Sequence, residues 1–273
     1  MNEQSSSATP HYTWANSEVY ERYVGRWSRL VAGDFLEWLR VAPESDWLDV
    51  GCGTGALSQT ILRVAAPRRV ISVDRSPQFI THAQAQVHDA RASFQVADAQ
   101  NLPHATASHD TAVAALMLNH LPQPEQAVRE MTRVVKPGGL VAAYVWDYAD
   151  QMQCIRYFWI AAIALDPSAS ELDQSRRYPL CQPQPLTALF QSAGLKDVEV
   201  RAIDIATHFK DFEDYWSPFL GGQGPAPAYA MSLSESRRAA LRRRIRAGLP
   251  FAPDGSIPLV ARAWAVRGQR PYS

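Results

Sequence analysis

A chain of 273 residues, 47% hydrophobic and 20% charged, suits one globular domain with a substantial core and room for an inserted cap. Its 27 basic and 27 acidic side chains cancel, which removes any general reason to expect nucleic acid or an anionic membrane as partner. No uninterrupted apolar run approaches the roughly 20 residues that cross a bilayer, the best candidate being Ile160 to Leu165.

The first residues, Met1 to Pro10, are polar and Ser-rich, without the basic start and apolar stretch of a signal peptide. They predict a disordered tail over residues 1–15, ahead of a single domain at 16–273. Cys52, Cys154 and Cys181 lie too far apart for a CxxC or metal-ligand spacing, so no metal is expected and the chain reads as one from a reducing compartment, the cytoplasm. From Val19 to Leu39 apolar residues recur at helical spacing, with Gly25 and Gly33 as candidate break points. Trp47 to Val50 reads as a short buried strand running into Gly51-Cys52-Gly53-Thr54-Gly55, and a helix follows from Ala56 to about Val64.

The pattern then repeats. Val70 to Val73 reads as a strand, followed by a helix that Ser76 caps and Pro77 opens. Phe94 to Val96 and Thr111 to Leu116 are the third and fourth strands. A helix from Pro124 to Val135 should stop at Lys136-Pro137-Gly138-Gly139, and Leu140 to Val145 is the fifth strand. Strands alternating with helices predict a parallel sheet covered on both faces, with a ligand beyond the carboxyl ends of its strands.

Beyond Tyr148 the rhythm changes. Ile155 to Leu165 is an apolar, aromatic helix, Leu186 to Ala193 another that Gly194 ends, Val198 to Ile205 a sixth strand and Leu259 to Val266 the last. Six arginines, Arg237, Arg238, Arg242, Arg243, Arg244 and Arg246, spread around one wide helix face, opposite Leu241, Ile245 and Leu249, and read as a solvated surface. The fold class is thus α/β, a Rossmann-like, mostly parallel seven-stranded sheet with a cap formed by C-terminal insertions. The core falls at about 40–148 and the cap at about 149–185 and 206–256.

The glycine loop is the most informative segment. Glycine tolerates positive φ and has no Cβ to hold a ligand away, so Gly51, Gly53 and Gly55 let the backbone turn tightly against something bound. The free N–H groups of the next helix point into the same space. Asp49, directly before the loop, would oppose a pyrophosphate but tolerates a sulfonium cation. Asp74 ends the second strand, where a carboxylate can take both ribose hydroxyls, and Asp98 follows the third, where it suits an adenine amine. An Asp after a strand is often only a turn former; three at the tips of consecutive strands beside the glycines argue for a site.

These residues sit in text that closely resembles the class I methyltransferases, in their ubiquinone/menaquinone-biosynthesis-type small-molecule branch. The resemblance runs from Leu48 to Ala143, through LDVGCGTG, SVDRSPQFI, ADAQNLP, LMLNHLPQP and REMTRVVKPGGLV in order. It implies S-adenosyl-L-methionine as cofactor, S-adenosyl-L-homocysteine as product and a small-molecule methyl acceptor. Gly51, Cys52, Gly53 and Gly55 would pass under the methionine part and ribose. Asp74 would hold the ribose, Arg75 would lie along the adenine, Asp98 and the Ala99 backbone would read its amine, and Leu116 would pack near the centre of the cofactor. Arg26 on the N-terminal helix would clamp the methionine carboxylate and Tyr20 would close over that end.

Methyl transfer from a sulfonium needs alignment, exclusion of water and at most a base. His120, beside Asn119 on the substrate side of the fourth strand, is the candidate base, its alternative being a structural hydrogen-bonding residue. Tyr157, Phe158, Trp159, Trp216 and Phe219 are candidates to wall the acceptor and Tyr178 to form a lid; the plainer alternative for aromatic helical stripes is core packing. Two other readings stay open: a nicotinamide-dependent oxidoreductase, for which no YxxxK pattern is present, and a non-catalytic cofactor-binding module.

Overall fold

The computed structural model describes residues 21–272, so the expected tail and Tyr20 lie outside the described residues. Seven strands run in the order β3-β2-β1-β4-β5-β7-β6: β1 Asp46–Val50, β2 Arg69–Asp74, β3 Ala92–Val96, β4 His109–Ala115, β5 Val135–Trp146, β6 Lys196–Phe209 and β7 Ile257–Gln269. The first five are parallel, and β7 is antiparallel to both β5 and β6. The chain builds outward from β1 to β3 and then returns to place β4 on the other side of β1. This reversal opens a crevice at the carboxyl ends of β1 and β4. All five residues of β1 are buried, as a central strand covered on both faces requires.

A π-helical turn at Glu21–Gly25 leads into helix α1, Arg26–Leu39. Gly25 therefore marks a change of helix type, but Gly33 breaks nothing: a Cβ there would meet no atom within 4 Å, and the helix runs through it. Trp27, Val31, Phe35 and Leu39, four apart, are the buried edge of this helix. Helix α2 is Ala56–Val64, as its apolar spacing predicts. In α3, Pro77–Gln86, the Ser76 hydroxyl accepts from Phe79 N and Pro77 takes the first turn.

One expected stop is a strand instead. Helix α4, Pro124–Val134, ends just before Lys136-Pro137-Gly138-Gly139, and those four residues already belong to β5. Gly138 adopts φ +77°, and a Cβ on Gly139 would come within 2.5 Å of the Asp110 carbonyl. The glycines thus let β5 press against β4 where their register shifts, between His109 and Thr111.

The cap follows β5. Its first part holds α5, Gln153–Leu165, a 3-10 turn Pro167–Leu172 and α6, Gln174–Arg177. Helix α7, Pro183–Ser192, returns to pack against β6 and α4. Strands β6 and β7 are longer than the sequence suggests. They stay paired from Glu199 with Arg267 out to Phe209 with Ile257, well past the end of β5, where Trp146 meets Ala263. Between their ends lie α8, Phe212–Trp216, a 3-10 turn Ser217–Gly221, α9, Pro225–Ser232, and α10, Glu235–Gly248. Leu241 and Ile245 of α10 are buried on its inner side, and α10 packs on α5. One continuous set of buried side chains joins cap to sheet.

Candidate cofactor cleft and acceptor side

The loop after β1 is tied to β2: Gly51 N and Cys52 N both donate to the Val73 carbonyl, at 2.8 and 3.0 Å. Its glycines all have positive φ, +73°, +53° and +86° at Gly51, Gly53 and Gly55, for different reasons. A Cβ on Gly51 would lie 2.5 Å from Met117 Cγ, so this turn is closed by the protein itself. A Cβ on Gly53 would meet nothing within 4 Å; Gly53 faces open space.

Asp49 is fully buried beneath the loop. Its Oδ2 accepts from Ser58 Oγ at 2.5 Å, and Ser58 in turn meets Ser72 Oγ at 2.9 Å. Oδ1 has no hydrogen-bond partner among the described residues. Burial, reinforced by the charge of Asp74, pushes its carboxyl up to about 7 against the stabilising Ser58 bond. Asp74 is fixed at the tip of β2 by two backbone donors, Gly53 N to Oδ2 at 3.0 Å and Ser76 N to Oδ1 at 2.8 Å. Burial raises its pKa while these bonds oppose the shift. Each oxygen keeps a further acceptor position. Asp98 is exposed, its Oδ1 accepting from Gln100 N at 2.9 Å, while Ala99 beside it is buried.

At the tip of β4 the chain turns sharply. Leu116 has φ +57°, a conformation that costs a non-glycine residue roughly 1–2 kcal/mol, and its N–H donates to the Tyr144 carbonyl at 2.8 Å. The turn delivers Met117 onto Gly51 and leads to a 3-10 turn, Leu118–His120. His120 Nε2 lies 3.2 Å from Asn119 Nδ2. Its ring stands edge-on to Tyr178 at 5.2 Å, and Tyr178 lies 5.5 Å from Tyr148. Burial, with the positive charge of Arg75 from the β2 loop, pulls the imidazole down to about 4, so it is neutral at pH 7. The cleft thus brings together residues that follow β2, β4 and β5 with one that follows α6.

Two groups of expected site residues are held by the protein. Arg26 donates from Nη1 to Asp214 Oδ1 at 2.8 Å and lies 4.4 and 4.8 Å from the rings of Trp27 and Phe209, so it fastens α1 to α8. Its Nε and Nη2 are buried without a hydrogen-bond partner among the described residues. Phe158, Trp159, Trp216 and Phe219 are at most 3% exposed. Phe158 stacks on Phe219 at 4.7 Å, and Trp159 Nε1 donates to Gln174 Oε1 at 3.0 Å. These four rings form the cap's own core; Tyr157 and Tyr178 are half-buried. Among the described residues no group of His, Cys, Asp and Glu is arranged to hold a metal, and no helix is long and apolar enough to cross a membrane. Sequence reasoning missed Ser58, Met117, Tyr148 and Asp214. Ser58 lies one turn into α2 and carries no motif signal of its own; the others meet the site only through tertiary contact.

The family described as "Methyltransferase domain" matches residues 48–143. An uncharacterized protein from Mycobacterium bovis, Mb1440c, is 32% identical over 197 residues, 70% of this chain and 68% of that one. The chain belongs to the class I methyltransferase family. A relative with a named substrate, the chloroplastic 2-methyl-6-phytyl-1,4-hydroquinone methyltransferase of Arabidopsis thaliana, is 26% identical over 68% of this chain and 52% of its own. The chain spans only 34% to 60% of the length of the first curated relatives it matches. Among solved structures of the family's fold, the phosphoethanolamine N-methyltransferase 2 of Haemonchus contortus, in complex with S-adenosyl-L-methionine, superposes with a TM-score of 0.56 at 17% identity. The match covers 88% of this chain and 52% of that one.

Proposed function

We propose that the chain binds S-adenosyl-L-methionine in the cleft at the tips of β1, β2 and β4 and transfers its methyl group to a small-molecule acceptor. The observation that carries this reading is Asp74: a half-buried carboxylate held by Gly53 N and Ser76 N, with one acceptor position left on each oxygen for a ribose hydroxyl. The open face of Gly53 and the unmatched Asp49 Oδ1 also fit this cofactor. A cation beside Asp49 is favoured, whereas the pyrophosphate of a nicotinamide cofactor would be repelled.

When bound, the cofactor supplies an electrophilic methyl group on a sulfonium, displaced in line with a neutral thioether as leaving group. The backbone of Gly51, Cys52, Gly53 and Gly55 supports the methionine and ribose parts. Asp98, the Ala99 N–H and Arg75 hold the adenine end, and Leu116 packs against the middle. Arg26, whose Nε and Nη2 make no hydrogen bond among the described residues, is assigned to the methionine carboxylate, with Tyr20 over it. On the acceptor side His120, neutral at pH 7, takes a proton from the acceptor, while Tyr157 and Tyr178 contact its apolar part and Tyr178 covers it. Phe158, Trp159, Trp216 and Phe219 shape that wall from behind. We assign the activity to the cytoplasm, where the three free cysteines stay reduced.

Calorimetry with S-adenosyl-L-methionine and with S-adenosyl-L-homocysteine tests the site, and labelled cofactor offered with metabolite pools identifies the acceptor from the product's mass. Replacing His120 by Ala should lower turnover by about 10²–10⁴-fold and leave cofactor affinity unchanged. Unchanged turnover removes His120 from the mechanism. Tight NAD(H) binding without heat from either methionine compound overturns the reading.

A further inference from the structure

A neutral chain hides a polarised one. Helix α10 carries six arginines and one acid, Glu235, within Glu235–Gly248, so the rest of the molecule is net acidic. Its apolar residues Leu241 and Ile245 are spent on the cap interior, which leaves the arginines outside. Three of the six are committed within the protein. Arg238 donates to the carbonyls of Ala230 and Leu233, Arg242 pairs with Glu213, and Arg246 lies over the rings of Phe212 and Phe251. Arg237, Arg243 and Arg244 are exposed, and their guanidinium groups make no hydrogen bond or ion pair among the described residues. The charge of Arg237 reaches the carboxylate of Asp166.

Large apolar side chains flank this basic face. Leu165, next to Asp166, is 46% exposed, and Met231, shortly before α10, is 44% exposed. At the far end Phe251, beside Arg246, is 39% exposed. Unpaired guanidinium forks suit phosphate oxygens, and apolar side chains beside them suit the boundary between headgroups and acyl chains. An RNA or an acidic protein would use the cations but has less use for the flanking apolar groups.

We propose that the cap docks on an anionic phospholipid surface through Arg237, Arg243 and Arg244, with Leu165, Met231 and Phe251 at the margins of the contact. The net charge of the chain conceals this face because its basic residues are concentrated on one helix. The contact is peripheral and does not depend on the methyl-transfer reading.

The test is co-sedimentation of the full chain with vesicles of phosphatidylcholine alone or mixed with phosphatidylglycerol. Binding is expected only with phosphatidylglycerol, and added salt should weaken it. The variant with R237Q, R243Q and R244Q should bind on the order of 100-fold more weakly, and R243Q alone about fivefold more weakly, from the usual contribution of one arginine near such a surface. A control variant with R63Q, R129Q and R201Q, exposed positions elsewhere, should bind like the parent. Absence of binding by the parent, equal loss in the control, or retention of the parent by RNA or by an acidic protein in place of the vesicles overturns the proposal.

Discussion

Beneath the glycine loop Asp49 is buried with one oxygen unmatched among the described residues, whereas in the cap the buried Trp159 and Tyr215 are matched, with Gln174 at 3.0 Å and the Cys154 carbonyl at 2.6 Å, and half-buried Arg156 meets the buried Asp173 at 2.7 Å. Leaving a buried acceptor unmatched costs free energy that native structures usually avoid. The tip of the sheet tolerates that cost and also holds Leu116 in a left-handed conformation, while the cap accepts neither at these groups. Such a difference is what the proposed function requires of the sheet tip, a surface prepared for a ligand beside a body built to stay folded.

Substitutions in the two regions should therefore fail in different ways. The largest effect is expected at the centre of the cap. Phe158→Ala removes a fully buried ring stacked on Phe219 and should cost about 3–5 kcal/mol of unfolding free energy, read by urea titration, with cofactor affinity unchanged. Asp74→Ala reverses that pattern: the fold persists by circular dichroism, and calorimetry shows roughly 100- to 1,000-fold weaker cofactor binding, from two charge-assisted bonds lost. If Asp74→Ala binds like its parent, the comparison collapses along with the proposed function.

Smaller effects sharpen the contrast within the loop. Gly53→Ala strains a left-handed residue by about 1–2 kcal/mol and places a methyl group in open space, so it should weaken binding more than folding. Gly51→Ala adds the same strain and drives a methyl group into Met117, so its stability loss should be the greater. The last effect is one of pH. Asp49 titrates at about 7 in the native state, against an ordinary carboxyl value of 3.8 once the chain unfolds, so the native protein retains a proton there that the unfolded chain has released. Taken alone this group withdraws stability as pH rises from about 4 to 7, whereas His120 and His109, held down at about 4 by burial against 6.5 in the unfolded chain, add stability over much of the same range. Asp49→Asn should therefore steepen the rise of stability with pH relative to the parent in urea titrations at several pH values.

The cofactor half is the legible one. Asp49, Asp74 and Asp98 lie at or just past the ends of strands whose apolar runs are evident, and the bounds of α2 follow from Leu57 and Ile61 sharing a face next to a glycine loop. Lys136 to Gly139 mislead because Pro-Gly-Gly is ordinary helix punctuation, and only the pressure of β4 on Gly139 makes it part of a strand. The cap is harder. Phe158 and Tyr157 are neighbours of similar chemistry on one helix, and which of them becomes core depends on Phe219, far away in sequence. The helix that carries Arg26 is evident from its apolar spacing, but the partner Asp214 is 188 residues away, beyond the reach of local pattern.

The paired ends of β6 and β7 have an evolutionary consequence. Phe209 and Ile257 face each other in register, so everything between them, α8 to α10, departs from and returns to one point. Such a segment is an exchangeable cassette: its length and surface can be rewritten without moving a strand of the sheet.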